Sequence, residues 1–111
     1  MSERDWELAE SLAKSLARDI RDISVAARVV DFLRRHRDWG KVEALLQRWE
    51  GTGQLHQSRS TRGYIQMLRR DVLPRLRDRR PDEAARLLGW AVRLARYFSA
   101  SESQTTQEGR G

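Results

Sequence analysis

With 111 residues, the chain can build one hydrophobic core and not two. Apolar residues at 39% and charged residues at 34% exclude disorder throughout. The absence of cysteine excludes disulfides, thiolate metal sites and cysteine nucleophiles together, and the formal charge of +6 points toward anionic partners.

The opening Met1-Ser2-Glu3-Arg4-Asp5 is charged where a secretory leader needs an apolar stretch. No uncharged run approaches the ~18 residues of a membrane span. The expectation is a cytoplasmic protein with no membrane role. Strand alternation is missing, and every readable pattern has helical period, so the predicted class is all-α.

Ser2 followed by Asp5 is a capping box that starts a first helix near residue 3. Its apolar positions Trp6, Ala9, Leu12, Ala13, Leu16, Ala17, Ile20 and Ile23 step by three and four into one stripe for burial. Ser24 either caps a second helix that carries Val25, Val29, Val30 and Leu33 inward or sits inside one longer helix, and a break is the favoured reading. Asp38 caps a third, in which Trp39, Val42, Leu45, Leu46 and Trp49 form the stripe and Gly51 the stop. Residues 51–60 read as the one substantial loop.

Ser60 or Thr61 caps a fourth helix with the stripe Ile65, Leu68, Val72 and Leu76. Pro74 falls inside that stripe and removes a backbone donor, so the helix is kinked or split there. Pro81 suits the first turn of a last helix, and Asp82 and Glu83 complement its positive end. Ala84, Leu87, Leu88, Ala91, Val92, Ala95 and Phe98 make that helix the most apolar, hence central. From Ser99 the composition turns polar, and a flexible tail is expected over 99–111 behind a single domain over 1–98. The predicted architecture is a compact bundle of about five helices.

Charge is unevenly spread. Arg59, Arg62, Arg69, Arg70, Arg75, Arg77, Arg79 and Arg80 face only Asp71 and Asp78 within residues 58–80, so this segment carries the whole excess of +6. On the fourth helix, Arg62, Gln66, Arg69 and Arg70 lie off the apolar stripe at spacings that put them on one side. Guanidinium forks match phosphate oxygens, which makes the expected ridge a candidate for nucleic-acid backbone contact. Arg34, Arg35, His36, Arg37 and Lys41 form a second cluster; Arg34, Arg37 and Lys41 join Arg59, Arg62, Arg69, Arg70, Arg75 and Arg77 as candidate contacts. The chain has twenty arginines and two lysines, so the competing accounts are a compositional bias toward arginine that leaves a solvated face, and contact with a protein partner's acidic surface.

Catalytic parts are scarce. His36 and His56 are the only histidines, too few for a metal cage or a serine triad, and Gly51-Thr52-Gly53 lacks the lysine and strand of a phosphate loop. No metal, cofactor or enzymatic activity is expected. Trp39 and Trp49 fit a buried stripe, whereas Trp90 and Tyr97, beside Arg86, Arg93 and Arg96, suit a docking surface for another protein or for bases.

An all-α chain with an arginine ridge and the closing run Leu87-Leu88-Gly89-Trp90-Ala91-Val92-Arg93-Leu94-Ala95-Arg96-Tyr97-Phe98 resembles, in general character, the small subunits of CRISPR effector complexes, the type III ones especially. The resemblance implies a non-catalytic subunit that stacks with copies of itself and lines a guide–target duplex with basic residues. By position those would be Arg59, Arg62, Arg69 and Arg70. The alternative is a helical protein-interaction or scaffold module with no nucleic-acid role.

Overall fold

The computed structural model describes residues 2–52 and 59–110, with side chains over 2–51 and 61–100. Among the described residues every regular element is helical. The elements are α1 (Glu3–Leu16), α2 (Ile23–His36), α3 (Trp39–Thr52), α4 (Arg59–Met67) and α5 (Pro81–Arg110). Four of these, α1, α2, α3 and α5, are regular helices of fourteen residues or more, in place of the expected five. The remaining one is short and irregular: α4 passes into a π turn over Leu68–Val72 and a 3-10 turn over Leu73–Arg75.

Pro74 accounts for that irregularity. It has no N–H to return to the carbonyl four residues back, and its ring crowds the preceding turn. The backbone widens upstream, where the Leu73 N–H reaches the Leu68 carbonyl five residues away, and tightens downstream, where the Leu76 N–H reaches Leu73. Leu68, Val72, Leu73 and Leu76 all remain buried through the change.

The α1 start follows the sequence expectation. Ser2 Oγ accepts from the Asp5 N–H at 3.3 Å, and Asp5 Oδ2 accepts from the Ser2 N–H at 3.1 Å. Its end does not, because the continuous stripe read from Trp6 to Ile23 is broken at Leu16. Residues Ala17–Asp22 form a 3-10 segment in which Asp19 is extended (φ −138°, ψ 88°). The Asp19 carboxylate accepts from the Arg21 N–H, a side-chain turn that competes with the helical ladder. At this junction the buried Tyr64 hydroxyl donates to the Leu16 carbonyl at 3.1 Å, tying α4 to the end of α1. The break therefore begins at Leu16, about two turns before Ser24, and α2 begins at Ile23, which leaves Ser24 inside its first turn.

Asp38 opens α3 as expected, with Oδ1 accepting from Gly40 N at 2.8 Å and Lys41 N at 3.3 Å. The loop residues Gly53 to Ser58 lie outside the described set, and so do the side chains of the expected capping residue Ser60 and of Arg59. α4 begins at Arg59, so Ser60 and Thr61, both expected as caps, lie inside its first turn, and Thr61 donates to Asp22 Oδ1 at 2.8 Å, tying α4 to the α1–α2 junction. The flexible tail expected from Ser99 falls mostly beyond Ala100, on side chains outside the described set.

The core gathers Leu12 and Leu16 of α1, Val29 and Leu33 of α2, Val42 and Leu46 of α3, Ile65 of α4 and Leu88 of α5. Each such leucine or valine contributes about 1.5–3 kcal/mol by leaving water. α5 packs along both α1 and α2, which makes it the central element the composition predicts. α3 buries fewer side chains: Trp39, Leu45 and Trp49 are half-buried. Trp6 departs from the predicted stripe, being 43% exposed at the outer edge of α1.

Candidate nucleic-acid interface

Among the described residues, the arginines from Arg62 to Arg80 do not form one outward strip. The π turn points successive side chains toward two different neighbours, and acids from those neighbours meet several of them. Arg69 turns to α3, where Nε and Nη2 donate to Glu43 Oε1 at 3.3 and 3.0 Å and Nη1 donates to Glu50. Arg77 donates to the other oxygen of Glu43, and Gln66 Nε2 donates to Glu50 at 3.1 Å. The Glu50 carboxyl is held below the usual carboxylate range by Gln66 first and Arg69 second, while the two acids raise the Arg69 guanidinium. Arg79 is held by Asp5 of α1 at 2.6 Å, and its carbonyl accepts from Trp39 Nε1 at 3.1 Å. Arg69, Arg77 and Arg79 are thus joints between helices.

What remains open lies on the other side. Arg70 and Arg75 turn toward α1 and, with Lys14, Ser15 and Arg18, line a shallow cleft of about 570 Å³ in which Asp71 is the only carboxylate among the described residues. Four cations against one acid make this cleft strongly positive, and all four are exposed. Arg75 Nη2 donates to Ser11 Oγ, which aims the guanidinium along the cleft wall without neutralising it. Arg70 stands on the crest, bordering both the cleft and the Glu43–Glu50 network. Arg62 is exposed on α4, near enough to Glu50 to act on its carboxyl.

Lys14 and Arg18 are the residues that sequence reasoning missed. They stand on the polar side of the α1 stripe and its continuation, a position that looks like ordinary solvated surface. Only the packing of the π turn against α1 turns them into one wall of a cleft.

The second cluster is a separate place. Arg37 ends α2 in the left-handed region (φ 49°), with its N–H on the Leu33 carbonyl at 2.9 Å, and Lys41 opens α3. Both are exposed, and neither borders the cleft. The Arg34 guanidinium lies against α5 over Gly89, where an added Cβ would stand 3.4 Å from it. The His36 ring lies tilted against Phe32, 4.2 Å between centroids, and His56 lies outside the described residues.

Trp90 and Tyr97 are exposed on α5, by 36% and 66%. Trp90 meets Trp6 edge to face at 5.1 Å, and the Arg93 guanidinium stands 5.2 Å from its ring centroid. Among the described residues no group of acids and histidines is placed to hold a metal ion, and no helix is long and apolar enough to cross a membrane. Comparison of the chain with protein-family models, with curated proteins and with solved structures finds no match.

Proposed function

We propose that this chain is a non-catalytic nucleic-acid-binding subunit that grips a phosphate backbone in the cleft between α1 and the π turn. The observation that supports it is the convergence of Lys14, Arg18, Arg70 and Arg75 from two elements onto one concave surface with a single opposing carboxylate. Four like charges held together repel one another, and a polyanion threading between them relieves that repulsion. Ammonium and guanidinium groups on a shallow, open surface suit the sugar–phosphate chain rather than a small enclosed ligand. In this reading Arg62 extends the contact along α4, and Arg69 and Arg77 serve as struts that hold the π turn in place. The chain would then act as a helical subunit of a larger cytoplasmic ribonucleoprotein, which is the role implied by its resemblance to the small subunits of CRISPR effector complexes.

The test is fluorescence anisotropy with labelled twenty-nucleotide RNA and DNA. Arg70→Glu combined with Lys14→Glu should abolish binding while the helical circular dichroism stays unchanged. Unaltered affinity in that variant removes the cleft as the site.

A second reading has one observation in its favour. The exposed Trp6–Trp90 pair with Arg93 over it, and the exposed Tyr97 about two turns further along α5, offer aromatic anchors suited to a protein partner. Under that reading, Trp90→Ala with Tyr97→Ala releases a co-purifying protein, and the cleft variants do not.

A further inference from the structure

A second, smaller hollow opens beside the cationic cleft and shares a residue with it. Its volume is about 170 Å³, and its walls are Arg18, Asp19, Gly63, Tyr64 and Met67. The character changes across Arg18: on one side lie Lys14, Arg70 and Arg75, on the other an apolar wall of Met67 and the Tyr64 ring, with the Asp19 carboxylate at the rim. Gly63 leaves the wall open, since a Cβ added there would meet nothing within 4 Å. Tyr64 is fixed by its hydrogen bond to the Leu16 carbonyl, so this wall is rigid.

We infer that this hollow is a site for one unpaired nucleobase of the strand whose phosphates lie in the cleft, and that it favours a base offering an amino group to Asp19. The inference rests on the backbone-binding reading above. The hollow falls below the ~300 Å³ of a drug-sized pocket and matches a single planar ring. A base inside a duplex cannot enter it, so the ligand class is single-stranded nucleic acid. The carboxylate selects among bases. Cytosine presents its N4 amino group as a donor, which an aspartate accepts, whereas the lone N–H of uracil lies between two carbonyl oxygens that repel the carboxylate. The break in α1 is what supplies the selector, because the extended conformation of Asp19 places its side chain beside α4 instead of in a continuing helical turn. Both hydrogen bonds that Asp19 accepts fall on Oδ1, from the backbone N–H and Nε of Arg21 at 3.3 Å, and the Arg21 side chain is itself 83% exposed.

The experiment uses the full chain with labelled twelve-nucleotide oligo-C, oligo-U, oligo-dC and oligo-dT, read by anisotropy. Oligo-C is expected to bind about tenfold more tightly than oligo-U, the discrimination of one good base contact, with the same order for oligo-dC over oligo-dT. Asp19→Asn, which keeps the shape, should bring C and U to within about twofold while oligo-U affinity is retained. Gly63→Leu, which fills the hollow, should erase the preference with unchanged circular dichroism. Equal affinity of the wild-type chain for C and U, or a preference that survives in both variants, overturns the base site and leaves backbone binding standing. No binding of any oligonucleotide by the wild-type chain overturns both.

Discussion

Replacing Arg69 by methionine keeps the aliphatic stem and removes the guanidinium from between Glu43 and Glu50. The three side chains are 27%, 28% and 24% exposed, so the cluster is mostly, though not wholly, out of water. An exposed ion pair contributes at most about 1 kcal/mol, and stripping one partner from a fully buried pair costs about 3–5 kcal/mol. The present cluster falls between. Glu43 keeps Arg77 and Glu50 keeps Gln66, which holds the loss toward the lower end, at about 2 kcal/mol. For a domain of this size that lowers Tm by about 10 °C, read by circular dichroism at 222 nm. A double variant, Arg69→Met with Glu50→Gln, should lose about 1 kcal/mol less than the sum of the two single changes. If the single variant melts within about 2 °C of wild type, the strut role assigned to Arg69 is refuted.

Lowering the pH tests the same joints. Asp5 is held below the usual carboxylate range by the Ser2 backbone first and Arg79 second, and Glu50 by Gln66 and Arg69. As pH falls, the unfolded chain takes up protons at these groups before the folded one does. Their stabilisation is therefore complete above the ordinary carboxylate pKa of about 4 and is lost as pH drops through the lower folded values. Tm should fall steadily from pH 5 to pH 3, and a flat profile would contradict the assignment. Tyr64→Phe removes the buried hydrogen bond to the Leu16 carbonyl and should cost about 1 kcal/mol in urea denaturation. Arg37→Gly relieves the one positive φ outside glycine among the described residues and should stabilise by about 0.5–1 kcal/mol in the same assay; a loss of stability would show that the Arg37 side chain holds the corner.

The helical class, the α1 cap, the Asp38 cap and the central place of α5 were legible in the sequence because each depends on local spacing or on one side chain and its nearest backbone. The break after Leu16 was not, since the apolar phase runs on through Ile20 and Ile23 while Asp19 makes its own local turn. Pro74 announced a disturbance, but whether the chain would kink or split depended on how Leu68, Val72, Leu73 and Leu76 could all stay buried. The same widening decided the fate of the arginines. Helical spacing put Arg69 and Arg70 on one ridge, yet tertiary packing gave Arg69 to the acids of α3 and left Arg70 facing α1. Trp6 fitted the buried phase of α1 and instead pairs with Trp90 at the surface, because a stripe fixes a face of a helix and not how far its neighbour extends to cover it.

The most direct test of the cleft is the salt dependence of single-stranded oligonucleotide binding. With Lys14, Arg18, Arg70 and Arg75 each engaging a phosphate, the logarithm of affinity should fall against the logarithm of salt with a slope of about −3. Arg70→Ala with Arg75→Ala should reduce that slope by about half. A slope near zero in the wild-type chain, or one that the double substitution leaves unchanged, would contradict backbone binding at this surface.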